Sequence, residues 1–410
     1  MAMHDNENLL LLPIKIGSRI VPNRIAINSV ECNDADNDGN PTQATYDRYE
    51  KFFKGQAAFI DFESITVQND YVSRDRQLSI MPHNAKPLEE FVRHLKDINS
   101  DNILVLQLTH SGEISNPVFS KRCRVTEQPI YGYEDAELIG ENEVEKIIRQ
   151  FVEATKIAHA SGADGVDLKF CHGYFGSQIL RPFNSHKWKY GGDWKSRRQF
   201  AFDLIERVVK AVNDPNFIVG SKLSMFEGFP GGQGTAGPDS SVMDLTESID
   251  LIKGLEERGA AYILQTAGCA HARPLSQPTR DIPDHAYFHQ YFQKVCKDNL
   301  KPETVVIGSG YSIYRDGTGT KFLGVDPEKN SMKFWGNKNI RDGVVDMVCL
   351  GRQSLADSFV AQKMADGCEK DIKWCTICGN CGKLLRLQGN VGCPVYDPNY
   401  AKILKEISTE

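Results

Sequence analysis

The residues with the clearest capacity for chemistry are four cysteines near the C-terminus, Cys375, Cys378, Cys381 and Cys393, the last followed by Pro394. A C-x2-C-x2-C run with a later Cys-Pro can point several thiolates into one pocket, and this spacing is typical of 4Fe-4S clusters. A structural zinc site is an alternative, although zinc sites more often use two separated C-x2-C pairs. Four unligated thiols are the other alternative. The spacing therefore favours an iron–sulfur site with a redox role.

The composition limits the class of protein that must position these cysteines. The chain has 410 residues, of which 40% are hydrophobic, enough for one barrel-sized domain with a small addition. The net charge of −6 gives no indication of a nucleic-acid partner or an anionic membrane surface. We find no run near the roughly 18 apolar residues of a membrane helix, and the start lacks the basic segment of a signal peptide. We therefore expect a cytoplasmic protein, whose reducing compartment suits thiolate ligands.

A repeated strand-like pattern predicts the fold. Eight short apolar runs, each followed by a loop and a helix-period segment, cover residues 25–30, 57–62, 103–108, 164–170, 217–224, 261–267, 304–309 and 345–350. Amphipathic spacing predicts helices over 143–161, 200–212 and 245–259. The pattern predicts a (β/α)8 TIM barrel over residues 1–365, with 366–410 as a short C-terminal extension that holds the cysteines. An open doubly wound sheet is the alternative, but no G-x-G-x-x-G follows an early strand.

Polar side chains at the predicted end of strand 4 form the candidate catalytic group, because barrel active sites lie at the C-terminal ends of the strands. Lys169 and His172 can both donate to an oxygen of a substrate, and Tyr174 can give up a proton. Two donors and a tyrosine acid are what the reduction of an activated double bond requires. The alternative is a solvated strand end with incidental polar residues.

Two other strands supply candidate cofactor contacts. Gln107 on strand 3 could hold the pyrimidine edge of a flavin, or pack as a polar residue in the barrel mouth. Lys222 lies among apolar neighbours on strand 5 and needs a negative partner, either a reduced flavin or a carboxylate such as Asp61 or Asp167.

Strands 7 and 8 end in small residues where barrels often bind phosphate. Gly310 and Gly351 would let backbone N–H groups approach an anion, and Arg352 adds a charged fork of donors. Either glycine alone is more simply a turn. Together, at the two expected places, they favour a bound phosphate such as that of a flavin nucleotide.

Several motifs in order resemble the old yellow enzyme family of FMN-dependent oxidoreductases. They are VPNRIAINS (21–29), GQAAFIDFESITV (55–67), LQLTHSG (106–112), GADGVDLKFCHGYFGSQIL (162–180), YGGDWKSRRQF (190–200) and VDMVCLGRQSLADS (345–358). The resemblance implies a TIM barrel with FMN across its mouth, and FMN contacts from Ser29, Val30, Ser64, Gln107, Lys222, Gly310, Gly351 and Arg352. It also implies that Tyr174 is the proton donor and that His172 is one of the two residues anchoring the substrate.

The chain departs from the family pattern at some of these positions. Lys169 stands at the first anchoring position, which is commonly histidine, and Lys222 stands where the family usually has arginine. Glu31 occupies a position where some members place a residue that tunes the flavin, and a carboxylate there should lower the flavin potential or reshape the pocket.

The cysteine tail resembles the branch of the family that contains 2,4-dienoyl-CoA reductase and trimethylamine dehydrogenase, but the chain has no room for their C-terminal domains. We therefore expect electrons to come from NAD(P)H or from a separate electron-transfer protein through the cluster.

The resulting prediction is an FMN-dependent ene-reductase acting on a small conjugated substrate. The alternatives are an amine or alcohol dehydrogenase that passes electrons to a partner protein, a zinc-bearing hydrolase or lyase, and a non-catalytic flavin-binding module. The sequence leaves open whether the protein is a homo-oligomer.

Overall fold

A closed barrel of eight parallel strands forms the centre of the protein in the computed structural model, which describes residues 7–318, 326 and 330–409. We number the barrel strands β1 to β8: Ile25–Ile27, Phe59–Thr66, Ile103–Thr109, Gly165–Phe170, Ile218–Ser224, Tyr262–Thr266, Val305–Gly308 and Met347–Leu350. The barrel closes where β8 pairs with β1, from Val348 opposite Ile25 to Leu350 opposite Ile27. Each strand falls on a predicted run, so the TIM barrel prediction is confirmed.

Amphipathic helices surround the barrel and cover the outer faces of its strands. The longer helices are Gln43–Lys54, Ala85–Ile98, Glu141–Ala160, Gln199–Val212, Thr246–Glu257, His285–Asn299 and Met332–Arg341. The shorter ones are Phe175–Leu180, Trp194–Arg197, Arg273–Ser276, Arg352–Ala356 and Val360–Ala365, and the C-terminal extension contains Asn380–Arg386 and Pro398–Ile407. The three helices predicted from periodicity are present within two residues at each end.

Two strand ends differ from the prediction, and both differences affect the barrel mouth. β1 ends at Ile27, so Ser29 and Val30 lie beyond the strand and are half-buried. β2 continues to Thr66, with a register shift between Phe62 and Ile65, and therefore contains Ser64. The charged residues Asp61 and Glu63 interrupt the apolar run of this strand, which is why the predicted strand ended at residue 62.

The interior of the barrel changes from apolar to polar along its axis. At its N-terminal end, residues such as Phe59, Leu264 and Met347 form a buried apolar cluster. Ile16 and Val21, from the hairpin Ile14–Ile16 and Arg19–Val21, belong to the same cluster and close this end. Buried polar and charged side chains follow toward the C-terminal ends of the strands. The polar groups therefore lie at the end where barrels place their active sites.

The long loops after β3 and β6 meet at this C-terminal face. The first contains the short strands Cys123–Arg124 and Glu137–Leu138, and the second contains the helix Arg273–Ser276. The ring of Tyr131 from the first loop stacks on His271 from the second, with centroids 4.7 Å apart. The two loops thus contact each other at the face where barrels place their active sites.

The C-terminal extension packs against the loop that follows β1. The Asn33 amide donates to the carbonyl oxygen of Gly389 at 3.0 Å, and Cys32 is buried together with Leu384 and Val391. The extension therefore docks beside the barrel mouth, next to the loop that contains Glu31.

No helix among the described residues is long and apolar enough to cross a membrane.

Candidate active site

Tyr174 lies at the centre of a hydrogen-bonded group at the barrel mouth. Its hydroxyl is 3.2 Å from the Ser73 hydroxyl, and the nearby Glu31 carboxylate acts on its pKa. The Lys169 ammonium lies 3.3 Å from the centroid of the Tyr174 ring, a cation–π contact. Tyr174 precedes the short helix Phe175–Leu180, whose turn after β4 directs the side chain toward the loops after β1 and β2.

Glu31 holds two cations in this group. One carboxylate oxygen accepts from Lys169 Nζ at 2.6 Å, and the other lies 3.1 Å from Arg74 Nη1. Burial opposes ionisation, but Lys169 and Arg74 hold the pKa of Glu31 well below its usual range. Burial raises the pKa of Tyr174 well above that of an ordinary phenol, and the Glu31 charge adds to this effect. Tyr174 therefore keeps its proton at neutral pH, as a proton donor must.

Lys169 is committed to protein partners. Besides Glu31, its ammonium donates to the Ser64 hydroxyl at 2.6 Å, and its side chain is 2% exposed. The ammonium thus holds Glu31 and Ser64 and stabilises the Tyr174 ring. Its predicted role as a substrate anchor stays a prediction.

His172 is placed at the end of β4 in the left-handed backbone region, with φ of 60°. Its Nε2 lies 3.1 Å from the Thr266 hydroxyl at the end of β6. Burial lowers the pKa of His172, and the cations Lys222 and Lys169 lower it further, so the ring is neutral. A neutral, half-buried imidazole at the mouth can donate one hydrogen bond to a substrate oxygen.

Below this group, Gln107 connects two buried carboxyl groups inside the barrel. Its Nε2 donates to Asp61 at 3.2 Å and to Asp167 at 3.1 Å, while its Oε1 accepts from Ser64 at 2.6 Å. Lys222 lies 3.9 Å from Asp61, and its ammonium also donates to Ser29 at 2.8 Å. Asp61, one of the two carboxyl groups that the sequence suggested as a partner for Lys222, therefore lies near its ammonium.

The rim formed by the ends of β1, β7 and β8 offers accessible backbone. Gly310 has φ of 95°, a conformation that favours glycine, and a Cβ on Gly351 would have no neighbour closer than 3.8 Å. Both glycines are half-buried, as are Ser29 and Val30. Open backbone and small side chains on adjacent strands fit the phosphate of FMN.

Arg352 lies at the start of the helix after β8, where it faces the cysteines. Its guanidinium donates to the carbonyl oxygen of Pro278 at 2.6 Å. The same side chain lines a cavity with Cys381. Its predicted contact with a flavin phosphate stays a prediction.

All four cysteines of the predicted iron–sulfur site, Cys375, Cys378, Cys381 and Cys393, line this same cavity. The structure thus brings together thiols separated by up to 18 residues in sequence (393 minus 375). Among the described residues, however, no group of three or more His, Cys, Asp or Glu side chains has an arrangement that could hold a metal ion. A donor set of four thiols around one space is chemically suited to iron or zinc.

Sequence reasoning missed Ser73 and Arg74, which hold Tyr174 and Glu31. Both lie in the loop after β2, beyond the apolar run that ended the predicted strand. Arg74 is buried and also donates to the carbonyl oxygens of Cys32 and Ser64, both at 3.0 Å. Their position shortly after a barrel strand was a usable signal, since such loops build the active site.

The chain belongs to the NADH:flavin oxidoreductase / NADH oxidase family, which it matches over residues 9–371. This is a family of oxidoreductases, and the match includes every strand of the barrel and the residues of the candidate site described above, apart from the cysteines. The resemblance to old yellow enzymes that the motifs indicated is therefore confirmed at the level of the family.

Curated relatives differ in how much of their length the chain covers. The NADH oxidase of Thermoanaerobacter brockii is 25% identical over 388 residues, which are 92% of this chain and 52% of that protein. The dimethylamine dehydrogenase of Hyphomicrobium sp. is 26% identical over 58% of this chain and 28% of that protein. The chain thus spans about half or less of the length of these relatives.

Solved structures share the fold at low sequence identity. A 2-naphthoyl-CoA reductase in complex with 2-naphthoyl-CoA superposes with a TM-score of 0.79 at 18% identity, covering 97% of this chain and 58% of that chain. The old yellow enzyme homologue from Zymomonas mobilis gives a TM-score of 0.65 at 16% identity, covering 87% of this chain and 92% of that chain. These similarities support the barrel fold.

Proposed function

We propose that this protein is an FMN-dependent ene-reductase that reduces the activated C=C bond of an α,β-unsaturated carbonyl or a related conjugated compound. The proposal is supported by the family, by the accessible rim that fits a flavin phosphate, and by a protonated tyrosine at the barrel mouth. When bound, FMN would supply the hydride. Ser29, Val30, Ser64, Gln107, Lys222, Gly310, Gly351 and Arg352 are the residues proposed to hold it.

The chain's own residues would handle the proton and the carbonyl oxygen. His172, neutral and half-buried, donates one hydrogen bond to the substrate oxygen and so polarises the conjugated system. Tyr174 donates the proton from its hydroxyl. Burial and Glu31 oppose the phenolate that remains, Arg74 and Ser73 partly offset that effect, and the Lys169 ammonium lies over the ring.

One observation carries this proposal: the Tyr174 hydroxyl lies 3.2 Å from the Ser73 hydroxyl, and the Lys169 ammonium lies over the Tyr174 ring. Tyr174→Phe should leave the reduction of the bound flavin at the wild-type rate. It should slow the reoxidation of the flavin by an enone substrate by about 100-fold or more, the usual size of a general-acid contribution. Rapid-mixing absorbance at the flavin band measures both steps.

Tyr46→Phe is a matched control, because this ring packs on Phe91 on the outside of the barrel, 4.8 Å between centroids. It should leave both half-reactions unchanged. If Tyr174→Phe also reduces substrate at the wild-type rate, Tyr174 is not the proton donor.

We also propose that the four cysteines hold a 4Fe-4S cluster and that electrons reach the flavin from NAD(P)H or from a partner protein through this cluster. The shared cavity and the C-x2-C-x2-C spacing support the cluster. Protein purified under anaerobic conditions from a reducing cytoplasm should contain about four iron atoms per chain. Stoichiometric zinc without iron would exclude the cluster.

A second candidate is an amine dehydrogenase, supported by the relationship to dimethylamine dehydrogenase and by the half-buried carboxylate of Glu31 at the mouth. Glu31 is less suited to bind a substrate ammonium because both of its oxygens already contact Lys169 and Arg74. The two candidates are separated by adding an amine anaerobically without NAD(P)H. Bleaching of the flavin would favour the dehydrogenase.

A further inference from the structure

Two buried carboxyl groups inside the barrel, Asp61 on β2 and Asp167 on β4, lie below the proposed flavin site. Both residues have 0% exposure. The amide of Gln107 donates one hydrogen bond to each of them. Asp61 Oδ1 is buried and has no hydrogen-bond partner among the described residues. The mechanism proposed above uses neither carboxyl group.

The charges around this pair do not balance if both carboxyl groups are ionised. The titratable groups facing the pair are Cys171, directly after β4, Lys222 on β5, Tyr262 on β6 and Cys349 on β8. Burial raises the pKa of both thiols and of the phenol, so all three are neutral at pH 7. Lys222 is then the one cation facing the pair among the described residues, and it can compensate one negative charge.

The hydrogen bonds indicate which carboxyl group is the better anion. Asp167 accepts from the Tyr262 hydroxyl at 2.9 Å as well as from Gln107. Asp61 accepts from Gln107 and from the backbone N–H of Ser29 at 3.3 Å, both through Oδ2, so that Oδ1 is left over. Burial, and then the charge of Asp167, raise the pKa of Asp61 to about 8.

We propose that Asp61 and Asp167 share one proton at neutral pH, carried mainly by Asp61, and that this proton keeps the charge of Lys222 available for the pyrimidine edge of a bound flavin. The second clause rests on the proposed function, because it requires FMN in the barrel mouth. Lys222 contacts Asp61 at 3.9 Å and Ser29 at 2.8 Å, so it lies between the carboxyl pair and the rim. Asp61 is thus a positioning residue that acts on the flavin through Lys222.

A proton retained by the pair should be visible without any turnover. Infrared spectra of the purified holoprotein in H2O and D2O should contain a C=O stretch of a protonated carboxylic acid that Asp61→Asn and Asp167→Asn each remove. Asp36→Asn is the matched control, since Asp36 is exposed and hydrogen bonds from Asn40, Asp38 and Gly39 outweigh its burial to lower its pKa. It should leave the band unchanged. Lys222→Met should increase the band, because both carboxyl groups then lack a cation.

The link to the flavin is tested by counting protons. At a pH where the infrared band of the oxidised protein has disappeared, both carboxyl groups are ionised, so negative charge added to the flavin should draw a proton back onto the pair. Dithionite reduction in weakly buffered solution at that pH should therefore take up more protons per flavin, up to one, in the wild type than in Asp61→Asn.

Three outcomes are decisive. If neither Asp61→Asn nor Asp167→Asn removes a carboxylic-acid band from the wild-type spectrum, both carboxyl groups are ionised and the proposal of a shared proton is wrong. Equal proton uptake by the wild type and Asp61→Asn overturns the link to the flavin. Protein that binds no FMN refutes the proposed function instead, while the infrared band still decides the protonation of the pair.

Discussion

Replacing Glu31 with glutamine removes the one carboxylate that contacts both Lys169 and Arg74 while keeping the size of the side chain. The Lys169 and Arg74 side chains are only 2% and 3% exposed, so their charges would be left in a nearly dry environment. Breaking a fully buried ion pair costs about 3–5 kcal/mol. Two features reduce this cost: Glu31 itself is 17% exposed, and Arg74 keeps a second carboxylate, Glu63, at 3.7 Å.

We therefore expect the Glu31→Gln substitution to lower the free energy of unfolding by about 2–3 kcal/mol. Urea unfolding of wild type and variant, at equal flavin content, measures this difference. Glu50→Gln is the matched control because Glu50 pairs with Lys54 and His94 on the surface, where such pairs contribute about 0–1 kcal/mol.

A double-mutant cycle tests whether the lost free energy of unfolding comes from the Glu31–Lys169 ion pair. Lys169→Met should cost less in the Glu31→Gln background than in the wild type, because the ammonium has then already lost its carboxylate. Glu31→Gln should also move the alkaline limb of the pH–rate profile to lower pH, since Glu31 helps to raise the pKa of Tyr174. If Glu31→Gln unfolds within about 0.5 kcal/mol of the wild type, or the two substitutions are additive, the ion pair does not hold this site together.

Three further predictions concern other parts of the protein. Glu227→Gln should lower the free energy of unfolding by about 3–5 kcal/mol, because Arg181, its bidentate partner at 2.6 and 2.9 Å, is fully buried; a change below about 1 kcal/mol in urea unfolding would contradict this. Cys378→Ser should abolish incorporation of an intact cluster, measured as iron per chain, and unchanged iron content would exclude Cys378 as a ligand. Asp61 keeps its proton in the folded protein up to about pH 8, whereas the unfolded chain loses it above about pH 4. Between these two pH values the free energy of unfolding of the wild type should therefore fall with rising pH, by up to about 1.4 kcal/mol per pH unit, when compared with Asp61→Asn. Parallel pH dependences of unfolding in the two proteins would show that Asp61 is not protonated in this range.

The sequence alone was sufficient for the barrel because its strands are covered on both faces. Strands buried in this way appear as short apolar runs, and the helices between them show the spacing of a half-buried surface. β2 shows the limit of this reasoning, since Asp61, Glu63 and Ser64 interrupt its run while the strand continues to Thr66. A polar residue that faces a polar barrel interior looks, in the sequence, like the end of a strand.

The candidate site was partly predictable for the same reason. Gln107, Lys169, His172, Tyr174 and Lys222 were found because they lie at or near the ends of predicted strands, where barrels place their active sites. Their partners were harder to find. Neither Ser73 nor Arg74 belongs to a strand or a motif, and Glu31 was recognised as unusual without its partners.

What the sequence by itself determined is the set of chemical groups and the edge of the barrel at which they gather. Only the tertiary structure decided which of these groups contact each other. Glu31 pairs with Lys169 across 138 residues of chain, and Gln107 bridges Asp61 and Asp167 by hydrogen bonds. The physical reason is that strand patterns follow from local burial, whereas ion pairing in a dry interior depends on distances of a few ångströms between side chains from different strands. Those distances are fixed by closure of the barrel, which no local stretch of sequence encodes.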